Sequence, residues 1–265
     1  MKYFLFLLIP LKRVLYFVQN IIVNTRNGIK WLFNSKEHTN FSYLLNNQQI
    51  KHISYITSSF FNMNQDHIEK EIQLLQSVEI QLNKNSEKSK LIDLDKLPKW
   101  DYRLIIYSLM SQKSIPNIFE FGIDQGRTGY LVYKLATINN TKKINYVGIE
   151  YNHRKGVLLE HITDNRFSVI YSKLENVIKD LNREDLEESI LLSSTHEEKS
   201  EHFLFDYLEK NKIFPKVIIS DETSIDSPYI KFVNNNRYEN VIFPIEDPSN
   251  FLDTMYIGLA KRDLD

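Results

Sequence analysis

The sequence predicts an α/β fold in which a doubly wound, mostly parallel sheet carries helices on both faces. Short apolar runs alternate with segments of helical periodicity along residues 96–265, and alternating strands and helices form such sheets. A turn with several glycines follows the first long run, an arrangement that lets a bare backbone approach a ligand closely. Residues 1–95 are predominantly helical in pattern, so we expect a helical N-terminal extension before the sheet domain.

The first segment, residues 1–23, is strongly apolar but carries Lys12 and Arg13 in its middle. Each charge would cost roughly 2.5–3.5 kcal/mol at the centre of a membrane-spanning helix. Over residues 11–23 the apolar side chains recur on one face, which predicts an amphipathic helix. Three surfaces could cover that face: the body of the protein, a second copy of the chain or a membrane surface.

Residues 31–43 are dense in aromatic and hydrogen-bonding side chains, which is not the composition of a linker. Within this segment, His38 and Tyr43 are candidates for contact with a substrate. The alternative for His38 is a structural hydrogen bond, since histidine has many roles besides ligand binding.

Two further helices are predicted before the sheet domain, because apolar residues recur at helical spacing over residues 50–60 and 68–82. Asp66 followed by Glu69 resembles a capping box at the start of the second helix. The polar residues 83–90 predict a loop after it. This loop marks the expected boundary between the two domains.

Six strands are predicted in the sheet domain, at residues 117–122, 144–151, 167–171, 216–220, 240–245 and 255–260. Helical patterns accompany them at residues 102–110, 130–138, 153–162, 174–181 and 228–237. The charged region 183–211 is predicted to be a helical insertion with a solvated surface. The last two strands leave no room for a helix between them, so we expect one of them to run antiparallel.

The composition excludes several kinds of site. The chain has no cysteine, which rules out disulfides, thiolate nucleophiles and cysteine-ligated metal centres. Its 33 basic and 34 acidic residues give a net charge of −1, without the positive excess typical of nucleic-acid-binding proteins. We therefore expect no nucleic-acid partner.

Ligands bind to doubly wound sheets beyond the carboxyl ends of the strands, near the point where the strand order reverses. Candidate ligand residues follow four of the predicted strands. The glycine turn follows the first, Glu150 ends the second, Ser172 follows the third and Asp221 follows the fourth. A carboxylate such as Glu150 can accept two hydrogen bonds from a ribose diol, so the pattern predicts a nucleotide-type ligand.

The glycine turn reads E-F-G-I-D-Q-G from Glu120 to Gly126. A dinucleotide-binding turn has a glycine where this chain has Asp124, and a carboxylate there would repel a pyrophosphate but attract a cation. The turn resembles the first motif of the class I S-adenosylmethionine-dependent methyltransferases: an acid, any residue, a glycine, three residues and a second glycine. Glu120, Gly122 and Gly126 match this motif. Glu150 matches the ribose-binding acid of the family.

The resemblance implies a Rossmann-like fold, S-adenosylmethionine as the cofactor, and methyl transfer to an oxygen or nitrogen of a small-molecule acceptor. The segment containing Asp221 and Glu222 further resembles small-molecule O-methyltransferases, in which an acid after strand four lies by the transferred methyl group. It implies catalytic roles for these two acids. The implied cofactor-binding residues are Glu120, Gly122, Asp124, Gly126, Glu150 and Ser172.

We expect no resident metal, although Asp221, Glu222 and Asp247 form one conceivable ligand set. The expected location is cytoplasmic, with peripheral membrane or homo-oligomer contact through residues 11–23 as an option. Two other functions stay open. One is a nicotinamide-dependent oxidoreductase, and the other is a methyltransferase-like fold that serves in binding or assembly without catalysis.

Overall fold

The computed structural model describes residues 47–86, 102–153, 155–195, 197–223, 226–244 and 256–262. The predictions for the amphipathic segment 11–23 and for His38 and Tyr43 lie outside these residues. Within the described ranges, no helix combines the length and the apolar character needed to cross a membrane.

Among the described residues, three helices precede the sheet: α1 (Asn47–Phe61), α2 (Gln65–Ser86) and α3 (Tyr102–Lys113). The predicted helical stripes are confirmed, but the cap of α2 differs from the prediction. The side chain of Asn64, rather than that of Asp66, accepts a hydrogen bond from the backbone N–H of His67 over 2.9 Å. α2 also continues to Ser86, into the stretch that was predicted to be a loop.

The sheet has seven strands: β1 (Asn117–Phe121), β2 (Asn145–Glu150), β3 (Phe167–Tyr171), β4 (Ser189–Ser193), β5 (Val217–Thr223), β6 (Glu239–Pro244) and β7 (Tyr256–Lys261). Their order across the sheet is β3-β2-β1-β4-β5-β7-β6. The first five strands in this order are parallel, and β7 is antiparallel to both β5 and β6. The predicted mostly parallel sheet with one antiparallel strand near the C-terminus is therefore confirmed.

Helices cover both faces of the sheet. Those that follow β1 along the chain are α4 (Arg127–Ile138), α5 (Leu174–Val177), α6 (Arg183–Glu187), α7 (Glu198–Asn211) and α8 (Pro228–Asn235). The four helices α1, α2, α3 and α4 pack on one face of the sheet and form one buried apolar cluster with it. The helices α5, α6, α7 and α8 form a second cluster with the other face. Because apolar residues of the central strands contribute to both clusters, these strands are buried on both sides.

The strand β4 was missed by the sequence analysis, which predicted a helical insertion over residues 183–211. Only three apolar residues, Ile190 to Leu192, separate the charged segments on either side. These residues are fully buried, however, and β4 lies between β1 and β5 in the centre of the sheet. The predicted fourth strand is therefore the fifth strand, β5.

The predicted helix over residues 153–162 is also wrong, because the described residues of this segment form turns. Gly156 has a φ of 78°, which is outside the range of a right-handed helix. The backbone N–H groups of Gly156 and Leu158 donate to Asp124 and Gln125 of the turn after β1. They are therefore unavailable for helical hydrogen bonds.

α1 and α2 lie before the predicted domain boundary, yet they contribute Ile50, Phe61, Ile68 and Ile72 to the cluster that covers the sheet. The ammonium of Lys261 on β7 also donates to the carbonyl of Phe60. These two helices therefore form part of the sheet domain's core. The division into residues 1–95 and 96–265 stays a prediction, since its boundary falls outside the described residues.

Candidate functional site

The candidate site lies at the carboxyl edge of the sheet, where the strand order reverses between β1 and β4. From β1 the chain continues to β2 and β3 on one side and returns to β4 and β5 on the other. The arrangement β3-β2-β1-β4-β5 is shared with the doubly wound nucleotide-binding folds, whose ligands bind at this switch point. The residues at these strand ends are therefore the candidates for ligand binding.

Gly122 directly follows β1 and lies in close contact with the residues that follow β4. It has a φ of 86°, and a Cβ at this position would lie 2.3 Å from the carbonyl oxygen of Ser194. The N–H of Gly122 donates to Ile149 O over 3.0 Å, and the N–H of Ser194 donates to Phe121 O over 2.8 Å. Gly122 thus brings the ends of β2, β1 and β4 together in one layer of backbone.

The rest of the turn bends sharply into α4. Asp124 has a φ of 46° and Gly126 a φ of 81°, both in the left-handed region that is costly for most residues. Gly126 is the N-cap of α4 and has no side chain to cap the helix. The first turn of a helix presents backbone N–H groups without intrahelical partners, so the loop combines a helix N-terminus with the exposed carboxylate of Asp124.

Beneath the turn, Glu120 is buried, with 2% of its surface exposed. Its carboxylate accepts a hydrogen bond from the hydroxyl of Tyr146 on β2. The ring of Tyr146 is admitted by Gly129 and Gly148, because a Cβ on Gly129 would lie 2.6 Å from it and one on Gly148 3.2 Å. Glu120 therefore supports the turn from within the protein. Its direct contact with a cofactor stays a prediction.

Glu150 lies at the end of β2, adjacent to the glycine turn. The residue has 4% of its surface exposed, and its carboxylate oxygen Oε1 accepts a hydrogen bond from the N–H of Asn152 over 3.1 Å. The next residue, Tyr151, has 61% of its surface exposed. Tyr151 was not predicted as a site residue, although an aromatic residue directly after a strand-end acid is a recognisable signal.

Ser172 follows β3 and is partly exposed. Its N–H donates to the carbonyl oxygen of Glu150 over 2.9 Å, so the two predicted residues are neighbours. On Tyr171, burial raises the pKa of the phenol, and the carboxylates of Glu160 and Glu150 raise that pKa further. The hydroxyl of Tyr171 therefore stays protonated and donates to Lys155 O over 2.8 Å.

Asp221 lies within β5, the strand that was predicted as the fourth, instead of directly after it. The register of β5 against β7 shifts between Ser220 and Thr223, so Asp221 and Glu222 lie in a β-bulge. Such bulges often re-aim a side chain beside a functional site. Ser194, at the end of β4, donates from Oγ to Asp221 Oδ2 over 3.3 Å. For Glu222, the structure describes the backbone but not the side chain.

A second acid, Glu201 in the first turn of α7, lies beside this bulge and was not predicted. The hydroxyl of Ser220 donates to Glu201 Oε1 over 3.3 Å. Burial raises the pKa of Glu201, and the hydrogen bond from Ser220 opposes that rise only in part. No sequence signal distinguished this acid from its charged neighbours Glu197 and Glu198.

The opposite edge of the sheet carries an open groove of about 500 Å³ that is lined by residues of α4 and of the segment before β3. Its polar wall is a structural ion pair: Arg166 Nη2 lies 2.5 Å from Asp164 Oδ2, and Arg166 Nη1 donates to Thr141 O over 2.8 Å. The Arg166 guanidinium holds the pKa of Asp164 below its ordinary value. Arg166 and Asp164 are thus paired with each other, and the groove lies far from the switch point.

Some predicted site residues cannot be placed. His38, Tyr43 and Asp247 lie outside the described residues. Within the described part of the chain, no three histidine or acidic side chains converge as a metal-binding group would require. Of the acids that were predicted for the site, the structure brings Asp124, Glu150 and Asp221 to the carboxyl edge of the sheet.

No protein-family model matches the sequence, and no curated protein matches it. Among solved structures, the chain is similar to Aeropyrum pernix fibrillarin with natively bound S-adenosyl-L-methionine, at 15% identity and a TM-score of 0.40, over 55% of this chain and 66% of that chain. It is similar to the methyltransferase domain of a bacterial Hen1, at 12% identity and a TM-score of 0.36, over 56% and 90%. A Klebsiella pneumoniae protein assigned as an O-methyltransferase is 6% identical, with a TM-score of 0.42 over 88% and 96%.

Two of these three proteins are methyltransferases by description, and the third carries S-adenosyl-L-methionine. The strand order and the register given above, rather than these superpositions, define the fold of this chain. It is the Rossmann-like fold that the resemblance to class I S-adenosylmethionine-dependent methyltransferases implied.

Proposed function

We propose that this protein binds S-adenosylmethionine at the switch point and transfers its methyl group to an oxygen or nitrogen of a small-molecule acceptor. The observation that carries the proposal is the register of β1 and β2. It places the glycine turn beside the carboxylate of Glu150, because Phe121 pairs with Ile149 and Gly122 N donates to Ile149 O. The turn, which a ligand could approach closely, is therefore adjacent to an acid that is suited to bind a ribose diol.

Glu150 is suited to the ribose of such a cofactor. One carboxylate oxygen already accepts from Asn152 N–H, which fixes the orientation of the group, and a carboxylate has further lone pairs for two hydroxyl donors. The exposed ring of Tyr151 next to it offers a surface on which a purine could stack. Base stacking on an aromatic side chain is worth about 1–3 kcal/mol per base.

The charges along this edge favour a cation over a pyrophosphate. Asp124 occupies the middle of the turn, and 68% of its side chain is exposed. A carboxylate at this place would repel the phosphates of a dinucleotide, while it attracts the sulfonium and ammonium groups of S-adenosylmethionine. This difference favours the methyl donor over a nicotinamide cofactor.

The acceptor would lie on the β4 and β5 side. Neighbouring strands are about 4.8 Å apart, so the ends of β2 and β5 are separated by roughly 14 Å. A cofactor that places its ribose at Glu150 would therefore reach across β1 toward Asp221. When bound, S-adenosylmethionine supplies an electrophilic methyl group.

Asp221 is the proposed base or orienting group for the acceptor. For a hydroxyl acceptor, its carboxylate would take the proton as the oxygen attacks the methyl group. The hydrogen bond from Ser194 Oγ fixes Oδ2, which orients the carboxylate before the acceptor binds. Glu222, the adjacent acid in the bulge, is the second candidate for this role.

The test is calorimetric titration of the protein and two variants with S-adenosylhomocysteine. Glu150→Gln keeps an acceptor for Asn152 N–H but removes the charge and one acceptor oxygen. Hydrogen bonds to charged groups contribute about 1.5–3 kcal/mol, so we expect Kd to rise roughly 10- to 150-fold. Glu160→Gln is the matched control, because Glu160 is an exposed acid in the same loop. Equal affinities of the two variants would refute the ribose assignment.

A further inference from the structure

The loops that follow β1 and β2 are joined into one framework. The N–H of Gly156 donates to Asp124 O over 2.6 Å, and the N–H of Leu158 donates to Gln125 O over 3.1 Å. A Cβ on Gly126 would lie 2.7 Å from Leu159 Cγ, so the two loops are also in close side-chain contact. The position of one loop therefore fixes the position of the other.

This framework holds Lys155 beside Asp124. The N–H of Lys155 donates to Asn152 O over 3.0 Å, and its carbonyl oxygen accepts from the hydroxyl of Tyr171. With its backbone held at both ends, Lys155 places Nζ 3.3 Å from Asp124 Oδ1. The lysine and aspartate side chains are 38% and 68% exposed, so both charges face the solvent at the glycine turn.

We propose that Lys155 sets the preference of this site between the methyl donor and its demethylated product, by offsetting part of the negative charge of Asp124. The inference rests on the function proposed above. Methyl transfer converts a sulfonium into an uncharged thioether, so S-adenosylmethionine carries one more positive charge than S-adenosylhomocysteine. An unneutralised Asp124 would favour the donor over the product, and the ammonium of Lys155 reduces that advantage.

The size of the effect follows from the exposure of the pair. Exposed ion pairs contribute about 0.2–1 kcal/mol, which corresponds to a change in affinity ratio of about 1.4- to 5-fold. The wild-type lysine therefore weakens the donor relative to the product by about this factor. Removal of the lysine charge should strengthen the binding of the donor more than that of the product.

The experiment measures Kd for S-adenosylmethionine and for S-adenosylhomocysteine with the same set of full-length variants. Lys155→Gln removes the charge, and Lys155→Arg retains it. Lys210→Gln is a charge-matched control, because Lys210 is exposed in the last turn of α7, at the far end of that helix. Asp124→Asn removes the opposing charge. Melting temperatures verify that all variants are folded.

We expect Lys155→Gln to shift the affinity ratio toward the donor by about 1.4- to 5-fold, and Lys155→Arg and Lys210→Gln to leave it unchanged. Asp124→Asn should shift the ratio the other way, and the double variant should lie near the wild type. If the wild type binds both ligands but Lys155→Gln has the same ratio as Lys210→Gln, this inference alone is overturned. If the wild type binds neither ligand, the proposed function fails as well.

Discussion

Substitution of Gly122 by alanine tests whether β1 and β4 meet as closely as the structure shows. Two costs add at this position. The left-handed conformation, at a φ of 86°, costs an alanine about 1–2 kcal/mol. The new Cβ would also lie 2.3 Å from Ser194 O and 2.9 Å from Thr195 Cα. These are backbone atoms of a central strand end and cannot move cheaply, so overpacking adds about 1–3 kcal/mol.

Gly126→Ala is the matched control for this substitution. Its φ of 81° gives a similar backbone cost, but its Cβ would meet only the side chain of Leu159 at less than 3 Å, and this side chain can adjust. We expect urea unfolding to show a loss of about 2–5 kcal/mol for Gly122→Ala and of about 1–2 kcal/mol for Gly126→Ala. If both variants lose the same free energy of unfolding, the close approach of Gly122 to Ser194 is refuted.

Two further predictions concern buried polar groups on the α5 to α8 side of the sheet. The hydroxyl of Tyr229 is fully buried without a hydrogen-bond partner among the described residues, so Tyr229→Phe should raise the free energy of unfolding by about 1 kcal/mol; a loss in urea unfolding would contradict this. Glu201→Gln should raise Tm at pH 7 and leave it unchanged near pH 3.5. Burial raises the pKa of Glu201 above its ordinary value of 4.5, so its ionised form costs stability only at higher pH. A Tm difference that persists at low pH would contradict this explanation.

The sequence predicted the parts of the fold whose patterns are local. The first strand, the glycine turn and α4 follow one another within residues 117–138, where the apolar run, the glycines and the helical periodicity are all distinct. The antiparallel end of the sheet was predictable because β6 and β7 are separated by too few residues for a crossover helix. The placement of Glu150 beside the turn followed from the geometry of parallel strands.

The strand β4 could not be recognised, because its position in the centre of the sheet is set by long-range pairing rather than by local pattern. Residues 190–192 are a short apolar run between charged segments, and only pairing with β1 and β5 makes them a strand. This omission also affected the candidate site. With β4 missing, the strand that carries Asp221 was counted as the fourth instead of the fifth, and the contact of Asp221 with Ser194 could not be anticipated.

The surroundings of Glu120 were equally beyond local pattern. The glycine motif predicts a cofactor contact for it, which stays a prediction, but the burial of Glu120 and its hydrogen bond from Tyr146 could not be anticipated. Gly129 and Gly148, which admit the tyrosine ring, are far apart in the sequence and meet only in the folded sheet. The burial of Glu120 depends on tertiary packing, which cannot be predicted from the glycine motif alone.

The most direct test of the central claim is calorimetric titration of the wild-type protein with S-adenosylhomocysteine and, separately, with NAD. We expect saturable binding of S-adenosylhomocysteine at one site and no binding of NAD, because Asp124 opposes a pyrophosphate at the glycine turn. Absence of binding by S-adenosylhomocysteine, or binding of NAD in its place, would contradict the proposed function.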